Sequence, residues 1–191
     1  MAHIQITDRG TAERAADHAA AEAVVAHHAQ LAATLDGYAR ALREAAQGED
    51  APRLWQHREA LVTWLHGELL PHAYAEEAAL YPVAAAQPTG RRLIDGMLAE
   101  HVAIGDLVNE LENAASAVAL ASAARALSAV FAVHLAKEND LVVPLLVEAP
   151  DVSLAGLLDG LHDLIGAADD KGCDCGGCGC GAAGPGGSAN E

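Results

Sequence analysis

The sequence has few aromatic residues and few basic ones, and its cysteines are confined to one end. Phe, Trp and Tyr make up 3% of the 191 residues, and 11 Lys and Arg stand against 27 Asp and Glu. The formal net charge of −16 argues against nucleic acid and anionic membrane surfaces as partners, because both require basic patches. No cysteine precedes Cys173, so the fold cannot depend on a disulfide framework.

Long uncharged apolar runs are also missing. The first ten residues contain no apolar core of signal-peptide length. No uncharged run reaches about 18 apolar residues, the length that a membrane helix needs. We therefore expect a cytoplasmic protein that does not associate with a membrane.

Ala and Leu dominate the hydrophobic residues, which make up 52% of the chain, and both are strong helix formers. Apolar residues at spacings of three and four predict four long helices, with N-caps at Thr11 and Asp50. An Ala/Ser linker around 113–122 precedes the fourth helix, and a short fifth helix is expected from Leu154 to about Ile165. Short linkers make sequential helices antiparallel. The sequence therefore predicts an all-α, up-down-up-down four-helix bundle over residues 11–166 and a flexible Cys/Gly-rich tail over 167–191.

The inward face of each helix follows from the same periodicity. On the first helix it includes Val25 and His28, and on the fourth it runs through Glu138 to Leu141 and Leu145. Pro71 lies inside the second helix and should kink it, because proline cannot donate a backbone hydrogen bond.

A histidine and a glutamate one helical turn apart occur twice. His72 precedes Glu76 by four residues, His134 precedes Glu138 by four, and each His is followed by a proline ten residues later. Side chains four apart share a helix face, about 6 Å apart along the axis, so each pair can reach one interior point. His28 and His101 lie on the remaining two helices with matching apolar neighbours, which gives the chain an internal repeat. The predicted ligands are six residues, His28, His72, Glu76, His101, His134 and Glu138.

Four imidazoles and two carboxylates in a two-fold arrangement can hold two metal ions, with each carboxylate able to bridge. This ligand set suits iron, manganese or zinc. A lone histidine on an apolar face is more often a core residue, but the matched offsets favour a metal site. His27 could replace His28, although His28 shares the apolar neighbours of His101 and is favoured.

Three further residues are candidates for the surroundings of the ligands. Glu77 and Glu100 adjoin ligands, face elsewhere on an ideal helix, and could hold the second ring nitrogen of a ligating His. Tyr38 lies on the His28 face nearly three turns further on, where core packing is the more common role.

At these motifs the sequence resembles the hemerythrin-like HHE cation-binding family over roughly residues 20–148. His72-x-x-x-Glu76-Glu77-x-x-Leu80-Tyr81-Pro82 and the Glu100-His101 pair are similar to the family signature. The resemblance implies two non-haem, carboxylate-bridged iron ions that react with dioxygen, hydrogen peroxide or nitric oxide, in oxidative or nitrosative stress response. The four-His, two-Glu set is similar to the iron-cluster-repair branch.

The chain departs from the oxygen-carrying hemerythrins in two places. Gly105 stands where their third helix has another His, and Asn139 stands where their fourth helix has a carboxylate. Reversible oxygen carriage is therefore not expected, and Gly105 suggests an open coordination position. The alternatives to an enzyme are iron storage or delivery, gas sensing without turnover, or a structural zinc site.

The tail carries four thiols in eight residues, Cys173, Cys175, Cys178 and Cys180. Such a cluster could enclose Zn, Cu(I) or an Fe–S cluster, and a disordered or redox-scavenging tail is the alternative. A metal-binding tail would act in metal transfer to a redox or metal-acceptor protein partner.

Overall fold

The computed structural model describes residues 10–159, and within that range every regular element is helical. The α-helices are α1 (Thr11–Gln47), α2 (Ala51–Trp64), α3 (Leu70–Ala85), α4 (Gly90–Glu112), α5 (Ala117–Lys137) and α6 (Val143–Glu148). Two π-helical turns, Leu65–Leu69 and Glu138–Val142, join α2 to α3 and α5 to α6. A further helical segment begins at Leu154, as predicted. Its predicted end and the four tail cysteines lie outside the described residues.

The six helices form four rods, because the π turns continue α2 into α3 and α5 into α6. The first rod, α1, packs against α2 and α5, while α4 packs against α3 and α5. Each rod thus contacts its neighbours in sequence, and the first and last rods close the arrangement. The predicted all-α four-helix bundle is confirmed.

Hydrogen bonds at the N-terminal ends of three helices show where the rods begin. Asp50 accepts a hydrogen bond from the backbone N–H of Arg53 at 3.1 Å, as predicted. The cap predicted at Thr11 is wrong, because Gly10 holds that position and donates its N–H to Glu13 at 3.1 Å. Ser116 accepts from Ala119 N–H at 3.2 Å. With that cap the Ala-rich segment is already helical from Ala117, so the linker is shorter than the predicted 113–122.

Each π turn precedes a proline by two residues. The N–H of Leu70 bonds to the carbonyl of Leu65, just before Pro71, and the N–H of Val143 bonds to that of Glu138, just before Pro144. A proline donates no hydrogen bond and crowds the carbonyl one turn back, and a widened turn at that point lets the rod continue. The irregularity predicted at Pro71 therefore takes the form of a π turn.

The π turn in the last rod moves the inward face by one residue. Leu141, predicted to face inward, is 49% exposed, whereas Val142 and Leu146 are buried. A π turn holds one more residue than an α turn, so the side chains that follow it are rotated relative to the regular pattern. On α1 the predicted inward Val25 is also wrong, since it is 42% exposed.

The interior consists of two apolar clusters with a polar layer between them. One cluster contains Leu31, Leu35, Leu61 and Leu127, and the other contains Leu80, Met97 and Leu146. The polar layer consists of the six predicted ligands, and every rod contributes to it: His28, His72, Glu76, His101, His134 and Glu138.

One rod, Ala117–Glu148, is long and apolar enough to cross a membrane by length and composition alone. In the bundle, 44% of its most apolar window is buried, and Phe131 and Leu135 on it belong to the core. Part of the apolar surface of this rod is therefore buried in the bundle, while Val118, Val133 and Leu141 on it are exposed.

Candidate metal centre

The polar layer is divided into two groups of four side chains that could each hold a metal ion. Within each group, one ligand atom per residue lies within 4.8 Å of the others. The first group, here the open group, contains His28, His72, Glu76 and Glu138. The second, here the closed group, contains Glu76, His101, His134 and Glu138. Both carboxylates belong to both groups, so the structure brings the predicted residues together around two adjacent positions.

Helix geometry places the two Glu side chains between the imidazoles. Across one turn, Nε2 of His72 lies 3.1 Å from Oε1 of Glu76, and Nε2 of His134 lies 3.6 Å from Oε2 of Glu138. Nε2 of His28 on α1 reaches both carboxylates, at 3.4 Å from Glu76 and 3.8 Å from Glu138. The carboxylates are therefore positioned to contact ions in both groups.

Three of the imidazoles are held from outside by a hydrogen bond at Nδ1. His101 Nδ1 lies 2.7 Å from Glu77 Oε1, and His134 Nδ1 lies 3.1 Å from Glu100 Oε2. The two glutamates thus contact the second ring nitrogen of a predicted ligand, as the sequence suggested. Since a carboxylate only accepts, Nδ1 is the donor and the Nε2 lone pair faces the interior. This is the orientation that metal ligation needs.

Asn139 performs the same task for His28, with its Oδ1 2.7 Å from Nδ1. Sequence reasoning noted Asn139 only as a departure from a family pattern and did not assign it a contact. The two residues are 111 positions apart, so no helical offset could reveal the pair.

Tyr81 is a further residue whose contact was not predicted. Its hydroxyl donates to Oε1 of Glu138 at 2.6 Å, and it lies 3.4 Å from Nε2 of His101. The role considered for Tyr38 beside the ligands is wrong, because Tyr38 packs against the ring of Trp64, with centroids 6.0 Å apart, at the edge of an apolar cluster. Core packing, the more common reading of such a position, is what the structure shows.

Several buried atoms of the layer lack the partners that burial normally demands. Among residues 10–159, four layer atoms make no hydrogen bond of normal geometry, although His72 Nε2 and His28 Nε2 lie close to Glu76 Oε1: His28 Nε2, His72 Nε2, Glu76 Oε2 and Glu138 Oε2. Nε2 of His101 and Nε2 of His134 face each other at 3.0 Å, although each Nδ1 already donates to a carboxylate. Two inward lone pairs at this distance repel unless a cation or a proton lies between them. The residues therefore fit bound metal.

Burial and mutual contacts perturb the ionisable groups of the layer. Burial, aided by His101, lowers the pKa of His134 to about 4. Burial and the neighbouring Glu76 carboxylate raise the pKa of Glu138 to about 9. Burial opposes ionisation of Glu76, but close contacts with His28 and His72 outweigh it and hold the pKa of Glu76 below its ordinary value. The close approach of Glu138 to Glu76 thus disfavours two negative charges in the layer unless a cation is bound.

A cavity of about 300 Å³ reaches the open group from the surface. Its lining includes His28, His72 and Glu76, together with apolar Val24, Leu80 and Leu158. His27 also lines it but belongs to neither group of four, so the structure favours His28 for the layer. Gly105, where an open coordination position was predicted, follows His101 of the closed group by one helical turn. A Cβ at Gly105 would meet no atom within 4 Å, but the cavity described here is lined by His72 of the open group and not by Gly105.

A comparison with protein families bears on this geometry. The family described as the Hemerythrin HHE cation binding domain matches residues 19–146, which span both groups and all four rods. No curated protein and no solved structure matched the chain.

Proposed function

Because the chain belongs to the hemerythrin HHE cation-binding domain family, we propose that it is a non-haem di-iron protein that binds or reacts with dioxygen, hydrogen peroxide or nitric oxide. The observation that carries the proposal is the pair of four-ligand groups sharing Glu76 and Glu138. The orphaned buried atoms among the same residues support it, since burial without a partner costs about 1–3 kcal/mol per group.

Each residue of the layer has a part in this proposal. His28 and His72 would bind one ion, His101 and His134 the other, and the two Glu carboxylates would bridge them. Iron held by imidazole and carboxylate supplies redox chemistry toward small oxygen and nitrogen species. The protein orients the ligands through their outer partners and holds a neutral Tyr81 hydroxyl against Glu138, since burial raises the pKa of that phenol above its ordinary value.

The cavity supports a small molecule as the reacting partner. Val24, Leu80 and Leu158 make part of its wall apolar, and its volume of about 300 Å³ is at the lower end for ligand pockets, which disfavours a large substrate. We further propose a cytoplasmic protein of oxidative or nitrosative stress response, with the bundle at 11–166 and the Cys/Gly-rich tail at 167–191 as separate units. Ligation of a further metal by the tail cysteines is part of the same proposal.

The decisive experiment is the metal content of the full chain purified from iron-replete cells. All four tail cysteines are replaced by Ser, so that any metal measured belongs to the bundle. We expect about two irons per chain, and their loss in the double variant His72→Ala with His134→Ala. Zinc in place of iron, or no metal, would contradict the proposal and favour a structural site.

His57→Ala is the matched control for this measurement. His57 lies on α2, 15 residues before His72 and hence about 22 Å away along the rod. It is absent from both groups of four, so this variant should keep two irons per chain.

A second candidate function is iron storage, delivery or sensing without turnover, in which the tail passes metal to an acceptor protein. The sequence observation that favours it is the four-cysteine cluster, since thiolates bind transferable soft metals. Consumption of hydrogen peroxide by the iron-loaded chain, lost in His72→Ala, would favour the enzyme. Iron transfer to a thiol acceptor that depends on the tail cysteines would favour delivery.

A further inference from the structure

The two groups of the metal centre have unlike surroundings. In the closed group both imidazoles donate Nδ1–H to carboxylates, Glu77 for His101 and Glu100 for His134. In the open group His28 donates to the neutral amide of Asn139. Among residues 10–159, no side-chain acceptor is found for Nδ1 of His72, whose ring lies edge-on to His27 with centroids 5.1 Å apart. The ligands are related by a near two-fold symmetry, but the residues that accept hydrogen bonds from their Nδ1 atoms are not.

This difference changes how strongly the imidazoles donate to a metal ion. A carboxylate acceptor at Nδ1 raises the basicity of the opposite nitrogen more than an amide does, and it adds negative charge near the cation. Glu100 also pairs with Lys137, which offsets part of that charge, while Glu77 keeps its charge close to His101. Glu68 lines the cavity beside the open group, but its exposed position lets water screen it.

Access to solvent differs in the same direction. Of the four imidazoles His72 is the most exposed, at 13%, against 6% for His101, 2% for His28 and 1% for His134, and it lines the cavity together with His28. An ion in the open group has a route to solvent through this cavity, whose lining includes neither His101 nor His134.

We propose that the two metal positions are unequal, with the closed group binding first and tightly and the open group binding weakly and exchanging through the cavity. Glu77 and Glu100 are the positioning residues of the first site, and Asn139 is that of the second. This inference rests on the proposed two-ion centre and adds which ion is retained and which is exchanged.

The test is an anaerobic titration of the metal-free full chain with Co²⁺, whose visible absorption reports ligand geometry. The four tail cysteines are replaced by Ser here as well. We expect two ions to bind in two steps at least tenfold apart in affinity. His72→Ala should abolish the weaker step, and His134→Ala should abolish the tighter one. A chelator should remove the weaker ion first from the loaded protein.

Two conservative variants test the outer partners. Glu100→Gln keeps an acceptor for His134 but removes the charge, and it should weaken the tighter step by about 10–100-fold while changing the weaker step much less. Asn139→Asp should strengthen the weaker binding step and so reduce the difference in affinity between the two steps. Glu110→Gln, an exposed change on the same helix as Glu100, is the control and should change neither. Unfolding curves of the metal-free variants show whether each one is folded.

The outcomes separate this inference from the proposed function. Two ions of equal affinity, or equal weakening of both steps by Glu100→Gln, would overturn the inequality and leave the two-ion centre intact. Preferential loss of the ion held by His101 and His134 would also overturn it. Fewer than two ions per chain would overturn both proposals.

Discussion

The hydroxyl of Tyr81 reaches into the metal layer from α3 and contacts a carboxyl group there. It is 2% exposed and donates to Glu138 at 2.6 Å. Removing it with Tyr81→Phe leaves a buried carboxyl oxygen without its donor, so we expect the free energy of unfolding to fall by about 1–3 kcal/mol. Urea denaturation of the metal-free protein measures this.

Tyr74→Phe is the matched control for that substitution. Tyr74 lies on the same helix, seven residues earlier, and is 66% exposed. Its hydroxyl is hydrated in both folded and unfolded states, so the variant should unfold within about 0.5 kcal/mol of the parent. Equal losses for the two variants would mean that the Tyr81 contact contributes nothing specific.

Gly90 is required by the close approach of α4 to the end of α3. A Cβ built on it would lie 1.7 Å from the carbonyl oxygen of Ala84, a backbone atom that cannot rotate away. We expect Gly90→Ala to destabilise the protein by about 3 kcal/mol or more, because the helix start must shift. Gly96→Ala on the same helix meets no atom within 4 Å and should instead stabilise by about 0.5–1 kcal/mol. Thermal unfolding of the two variants, with shifts of opposite sign, checks the prediction.

At the residue scale, the one-turn offset made the contact of His72 with Glu76 predictable within one helix. Adjacency to a ligand marked Glu77 and Glu100 as candidates, although each holds a histidine of the next rod. Asn139 and Tyr81 meet their partners across the bundle, which depends on rod packing rather than on spacing along the chain. For Tyr38 the distance of nearly three turns from His28 favoured core packing over a role beside the ligands, and core packing is what the structure shows.

Among the elements, the π turn Glu138–Val142 changes which side chains of the last rod face inward. After it, Val142 and Leu146, rather than Leu141, are the fully buried residues of the apolar cluster. Periodicity alone could not show this, because a regular 3.6-residue period contains no signal for one extra residue. Pro144 after the turn was the available clue, but it was noted only for its spacing from His134, and an irregularity was predicted only at Pro71.

Deleting Leu141 should convert this π turn into a regular α-helical turn. The residues after it would then move one position back, so that Val142 and Leu146 would keep the inward positions that a regular helix offers. We expect a loss of about 3 kcal/mol, because Leu141 itself is 49% exposed but Pro144 would then follow a regular α-helical turn. Circular dichroism during urea unfolding measures the loss.

Deletion of Val133 is the comparison, since this residue is 60% exposed and lies in the regular part of α5. Removing one residue there rotates His134 and Glu138 by about 100° relative to the preceding turns, so the metal layer and the core that follows should both be disrupted. If the two deletions were equally damaging, the π turn would not be acting as a removable extra residue.

At the scale of the whole molecule, the metal layer joins all four rods between the two apolar clusters. The overall architecture was predictable because Ala- and Leu-rich periodicity with short linkers leaves few alternatives to a bundle. The asymmetry of the two metal groups was not predictable from the sequence. It arises from the residues that accept hydrogen bonds from Nδ1 of the histidines and from a cavity, and both depend on how the rods pack.

Since every rod contributes a ligand, metal binding should stabilise the bundle as one unit rather than locally. With Zn²⁺ as a redox-inert probe at about 100 times its dissociation constant, we expect the free energy of unfolding to rise by about 2.7 kcal/mol per ion bound. Hydrogen exchange should slow for amides in both apolar clusters, including those near Leu35 and Leu146. The double variant His72→Ala with His134→Ala should show neither effect, while His57→Ala should show both. Protection confined to the amides around the layer would instead mean that the two clusters unfold independently and that the metal centre does not link them.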